Sequence, residues 1–124
     1  MSNRKTWLAL SAAFGFSAVA LGAFGAHGLQ GRLDAYGRHI WDTATHYLMF
    51  HAAGLAVVGL LRGAIAPTAL NWAGSAFTAG ILLFSGSLYL MAVTGEGWIG
   101  RITPVGGTAF LIGWIALLAG IVRS

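Results

Sequence analysis

The residues of this chain best suited to ligand or proton chemistry are its four histidines, His27, His39, His46 and His51, which fall within one short stretch. Imidazole changes charge near neutral pH and is the commonest metal ligand. Its spacing here raises three chemistries. His39, Asp42 and His46 follow i, i+3, i+7 and share a helix face if the helix extends that far. That is not a zinc-ligand spacing, and Asp42 has Arg38 as another partner, so no metal is expected. His27 and His51 are the one pair placed to ligate a haem from two helices; their difference in depth counts against it, and no cofactor is expected. His46 and His51 also suit the passage of a proton or small solute. An enzyme ranks third, behind a binding or partner protein and a transport protein. The chain has no cysteine, which removes disulfides and thiol nucleophiles. No Ser–His–acid order or nucleophile elbow is present. Gly22, Gly25 and Gly28 lack the preceding strand that a dinucleotide loop needs.

The elements that position these residues follow from composition. The 124 residues are 57% hydrophobic and 8% charged, with a mean hydropathy of +0.77. A soluble domain carries roughly 25% charged residues, so lipid is the expected solvent for most of the surface. The net charge of +4 comes from seven scattered basic residues. They form no basic stripe, and nucleic acid is not an expected partner. Four long apolar runs predict an all-α membrane bundle forming one domain over residues 1–124, with spans at about 7–26, 43–62, 70–93 and 104–122. Arg4 and Lys5 before the first run resemble the start of a signal peptide, but its length fits a retained helix better. Trp7, Trp41 and Trp72 lie near the starts of the first three spans and Trp98 just before the fourth. Indoles favour the headgroup level, and only Trp114 is mid-span.

Four spans place both termini on one side of the bilayer. That side holds Arg4, Lys5, Arg62 and Arg123 and no acid. The first and third loops hold Arg32, Arg38 and Arg101 with Asp34, Asp42 and Glu96. The bias predicts cytoplasmic termini. Small residues mark one face of span one (Ser11, Gly15, Ala18, Gly22, Gly25) and of span four (Gly106, Ala109, Gly113, Ala116, Gly120). These faces are expected to meet each other or a second copy of the chain as a homo-oligomer. Leu29, Leu33, Tyr36 and Ile40 form an apolar stripe, with Asp34–Arg38 and Arg38–Asp42 as i, i+4 pairs on the polar side. The segment is expected to be a short amphipathic surface helix between spans one and two.

On this topology the polar side chains collect toward the non-cytoplasmic face. His27 ends span one, His46 is a turn into span two, and His51 is about 12 Å below Thr43 at helical rise. Span three runs the opposite way, so Ser87 and Ser85 enter from the same face, about 9 and 12 Å below Val93. Tyr47, Tyr89 and Thr103 complete the candidate set. Serines in membrane helices also bond their own carbonyls or join helices, and a buried histidine can simply be a satisfied packing residue. Both roles compete with a ligand site here.

Gly22-Ala23-Phe24-Gly25-Ala26-His27-Gly28-Leu29 resembles the signature of a family of small membrane proteins called domain of unknown function 423. Thr43-Ala44 with Tyr47 and His51, Leu83-Phe84-Ser85-Gly86-Ser87-Leu88-Tyr89, and Ile102-Thr103-Pro104-Val105-Gly106-Gly107 with Gly113-Trp114 resemble its later blocks, in order. The resemblance implies a four-helix bacterial inner-membrane protein and carries no established activity. The leading expectation is a non-enzymatic membrane protein that takes a small or lipid-like ligand, or a protein partner, at His27, His46, Tyr47, His51, Ser85, Ser87, Tyr89 and Thr103. A transport or proton-conducting oligomer is the alternative.

Overall fold

Four helices long and apolar enough to cross a membrane make up nearly the whole chain: Arg4–Gly28, Ala35–Leu60, Pro67–Thr94 and Gly97–Arg123. The structure is a computed structural model and describes residues 3–124. Helix α1 (Asn3–Ala23) runs on into a π-helical turn, Phe24–Gly28. Helix α2 spans Ala35–Leu60. The third span is α3 (Pro67–Gly80), a π-helical turn (Ile81–Ser85) and α4 (Gly86–Thr94). A 3₁₀ turn, Gly97–Arg101, then leads into α5 (Thr103–Arg123). In lipid every backbone N–H and C=O must be satisfied within the protein, and continuous helices do this. Pro67 and Pro104 lie in first turns, where no intrahelical N–H bond is lost. Gly95 ends α4 at φ 73°, a left-handed conformation that favours glycine, with its N–H on the Met91 carbonyl at 2.8 Å.

The surface helix expected between the first two spans is not a separate element. Residues 29–33 form a turn, and Asp34 accepts the Gly37 N–H at 2.6 Å as the N-cap of α2. From Ala35 the helix runs unbroken into the membrane. The apolar stripe is therefore split: Leu29 and Leu33 lie in the turn, and Tyr36 and Ile40 in the first two turns of span two, where Ile40 is buried and Tyr36 exposed. The Asp34 carboxylate caps the helix where an ion pair with Arg38 was expected. Span two thus begins eight residues before Thr43, which moves every residue on it deeper relative to its start.

Within the chain, the small-residue faces of spans one and four meet α2 and the third span rather than each other. Helix α1 packs along α2, and α5 packs along α3 and the π-helical turn after it. On α1, Ser11 Oγ donates to the Ala52 carbonyl of α2 at 2.8 Å, and Gly25 lies against the Trp41 indole. On α5, Gly113 seats the Phe77 ring and Gly120 faces Ala69. The same pattern recurs elsewhere, with Gly74 under Trp7, Gly54 against Phe77 and Gly80 against Phe110. Most of these glycines make room for an aromatic ring, whereas Gly106 makes a true backbone approach, to Phe84. Helix α2 is the most enclosed span and α1 the least. The core gathers Leu48, Leu55, Val58, Leu70, Phe77 and Phe110. A smaller cluster of Ile40, Ala44 and Leu88 lies toward the end where α2 begins.

Candidate functional site

His51, the deepest candidate, is 2% exposed. Its position on α2 is about 24 Å from Ala35 at helical rise. Trp114 of α5 donates its indole N–H to His51 Nε2 at 3.0 Å. Indole is a donor only, so Nε2 must carry a lone pair. The proton is then on Nδ1, which donates to the Tyr47 carbonyl at 2.8 Å. The ring is neutral, in one tautomer, with both nitrogens engaged. It stacks on Phe110 at 3.6 Å between centroids and 9° between planes, with Phe77 and Phe50 edge-on. No lone pair is left for haem or metal, and the surroundings are aromatic. His51 is the satisfied packing histidine that competed with the ligand reading.

Ser85, Ser87, Tyr89 and Thr103 are engaged in the same way, as links between helices. Ser85 Oγ donates to the Ala44 carbonyl at 2.8 Å, tying the third span to α2. Ser87 Oγ bonds the Phe84 carbonyl at 2.9 Å and lies 2.6 Å from Thr103 Oγ1, tying α4 to the start of α5. The Tyr89 and Thr45 hydroxyls are 2.7 Å apart, and the Trp41 indole donates to the Leu21 carbonyl at 3.0 Å. The π-helical turn at Ile81–Ser85 inserts an extra residue into the span. It sets the phase in which Ser85 faces α2 and Ser87 faces α5. Tyr47 is half-exposed, with its ring 4.5 Å from Phe84. His27, His39 and His46 are all exposed. Among the described residues no three histidine or acidic side chains gather to hold a metal. Of the eight candidates, the structure brings Ser87 to Thr103 and His51 to the Tyr47 ring and carbonyl, Ser85 and Tyr89 bond residues outside the set, and His27 and His46 lie apart and exposed.

A cleft lies at the end where the first and third loops meet, the face toward which the sequence placed its polar site. It measures about 1080 Å³. Thr103 is the one expected site residue in its lining. Its floor is apolar, from Ile40, Phe84, Leu88 and Met91, and its rim carries Arg32, Asp34, Tyr36, Thr94 and Arg101. Helices α2 and α5 both start at its wall, with Asp34 and Thr103–Pro104. By comparison, the cleft between α3 and α5 near Arg123 measures about 290 Å³. The sequence held a signal for the larger cleft in Arg32 and Arg101, two cations in loops on one side, which bore only on topology until their convergence was visible. It held one for His51 as well, since a mid-span Trp114 needs an acceptor for its N–H.

The chain matches the family described as protein of unknown function (DUF423) over residues 21–107. It is 46% identical over 114 residues to a UPF0382 membrane protein of Staphylococcus epidermidis, covering 92% of this chain and 93% of that protein. It is 43% identical over 120 residues to the UPF0382 membrane protein YwdK of Bacillus subtilis, covering 96% and 98%. No solved structure matches.

Proposed function

The chain belongs to the DUF423 family of membrane proteins, and from that premise we propose that it binds a single lipid-like amphiphile in the cleft at the loop end of the bundle. The observation that carries this is the cleft's chemistry, an apolar floor beneath a polar, cationic rim in a bundle whose deeper polar groups already bond one another. Ligand pockets have volumes of roughly 300–1,000 Å³, so the space suits a headgroup with the upper part of a chain. A polar rim holds the head near the interface while the floor takes methylenes.

Native mass spectrometry of the protein from mild detergent tests the reading. One retained molecule of lipid-like mass per chain is expected. Ala92 lines the floor, and Ala92→Trp should abolish retention while leaving helicity by circular dichroism unchanged. Equal retention by the variant would refute the site.

We also propose that the protein resides in the bacterial cytoplasmic membrane with both termini inside and the cleft facing out. The support is Arg4, Lys5, Arg62 and Arg123 at one end without an acid, against three basic and three acidic residues at the other. Because the chain has no cysteine, single replacements report cleanly. In intact cells, Glu96→Cys should react with a membrane-impermeant maleimide and Ser124→Cys should not. The reverse pattern would invert the topology.

A further inference from the structure

We infer that the cleft selects an amphiphile with an anionic, phosphate-type headgroup, held between Arg32 and Arg101; this rests on the cleft being an amphiphile site. The two arginines come from different loops, yet both line one cavity. The acid in that lining is Asp34, and its carboxylate is already engaged by the Gly37 N–H at 2.6 Å. Neither guanidinium forms an ion pair among the described residues. The rim therefore presents two cationic forks against one carboxylate that is tied to the backbone. Guanidinium groups match the geometry of phosphate oxygens through paired N–H donors.

The fold adds to this charge. Helices of 26 and 21 residues, α2 and α5, begin at the cleft wall. Their N-terminal ends carry partial positive charge; that of α2 is already met by the Asp34 carboxylate, so the uncapped α5 end is the one that favours a further anion. The floor argues for a lipid as the source of that anion. Ile40, Leu88 and Met91 offer a free phosphate nothing, but they complement the methylenes beneath a headgroup. Arg38 provides an internal contrast. It lies on the same end of the bundle and carries the same charge, but lines a separate small cleft with Trp41 and Asp42.

The test exchanges full-length protein into nanodiscs containing equal phosphatidylglycerol and phosphatidylcholine of matched chains, and then measures which lipid the released protein retains. Retention of phosphatidylglycerol is expected to exceed that of phosphatidylcholine by roughly tenfold, the scale of one to two charge-assisted hydrogen bonds. The double variant Arg32→Gln, Arg101→Gln should lose this preference yet still retain phosphatidylcholine, which also shows that it folds. Arg38→Gln should keep the preference. Retention of both lipids without preference would overturn the headgroup assignment and leave the amphiphile site standing. An equal loss in Arg38→Gln would reduce the effect to general surface charge and overturn it. Displacement of the lipid by excess inorganic phosphate would assign the site to a free anion, again overturning it. Retention of neither lipid would overturn both readings.

Discussion

Gly106→Ala is expected to destabilise the bundle by about 3 kcal/mol, at the upper end of what overpacking costs. A Cβ at this position would come within 2.7 Å of the Phe84 Cα and 2.8 Å of the Leu83 carbonyl carbon. Both are backbone atoms of the π-helical turn, so no change of rotamer relieves the contact. Helix α5 would have to move away from the third span, and that motion would pull on the Ser87–Thr103 hydroxyl contact. The same change at the next residue is the control. A Cβ at Gly107 would meet only the Phe84 ring, at an ordinary 3.8 Å. Denaturation in mixed micelles with increasing SDS should show a large drop in midpoint for Gly106→Ala and little change for Gly107→Ala. Matching midpoints would mean that α5 and the π-helical turn are not in close backbone contact.

His51→Ala is expected to cost about 2–4 kcal/mol, combining a cavity with an orphaned donor. The substitution removes the ring stacked on Phe110, the acceptor for the Trp114 N–H and the donor to the Tyr47 carbonyl. Trp114→Phe keeps a ring in place and deletes only the N–H. It should cost about 1 kcal/mol, in the range measured for hydrogen bonds between membrane helices. The double variant should then show coupling between the two sites. Nitrogen chemical shifts of His51 at neutral pH should show a protonated Nδ1 and an unprotonated Nε2. A protonated Nε2 would contradict the hydrogen bond from Trp114 and reopen a proton-handling role.

The sequence was sufficient for the number and order of the spans. Hydrocarbon forces each crossing segment to satisfy its own backbone, so a long apolar run has few alternatives to a helix. It also indicated which end of the bundle is richer in polar groups, because alternating spans fix which loops share a side. It did not reveal that Asp34 caps α2, since a helix with an apolar stripe reads the same whether it lies on the membrane or continues into it.

The partners of the polar residues were beyond sequence reasoning, and the physical cause is phase. Which neighbour a serine meets depends on the rotation of its helix, and the π-helical turn at Ile81–Ser85 changes that rotation part-way along the third span. Only the packed bundle therefore decided that Ser85 meets α2, that Ser87 meets α5, and that His51 is closed by Trp114. The cleft likewise exists only in three dimensions. Arg32 and Arg101 belong to separate loops, and it is the antiparallel return of the chain that sets them over one apolar floor.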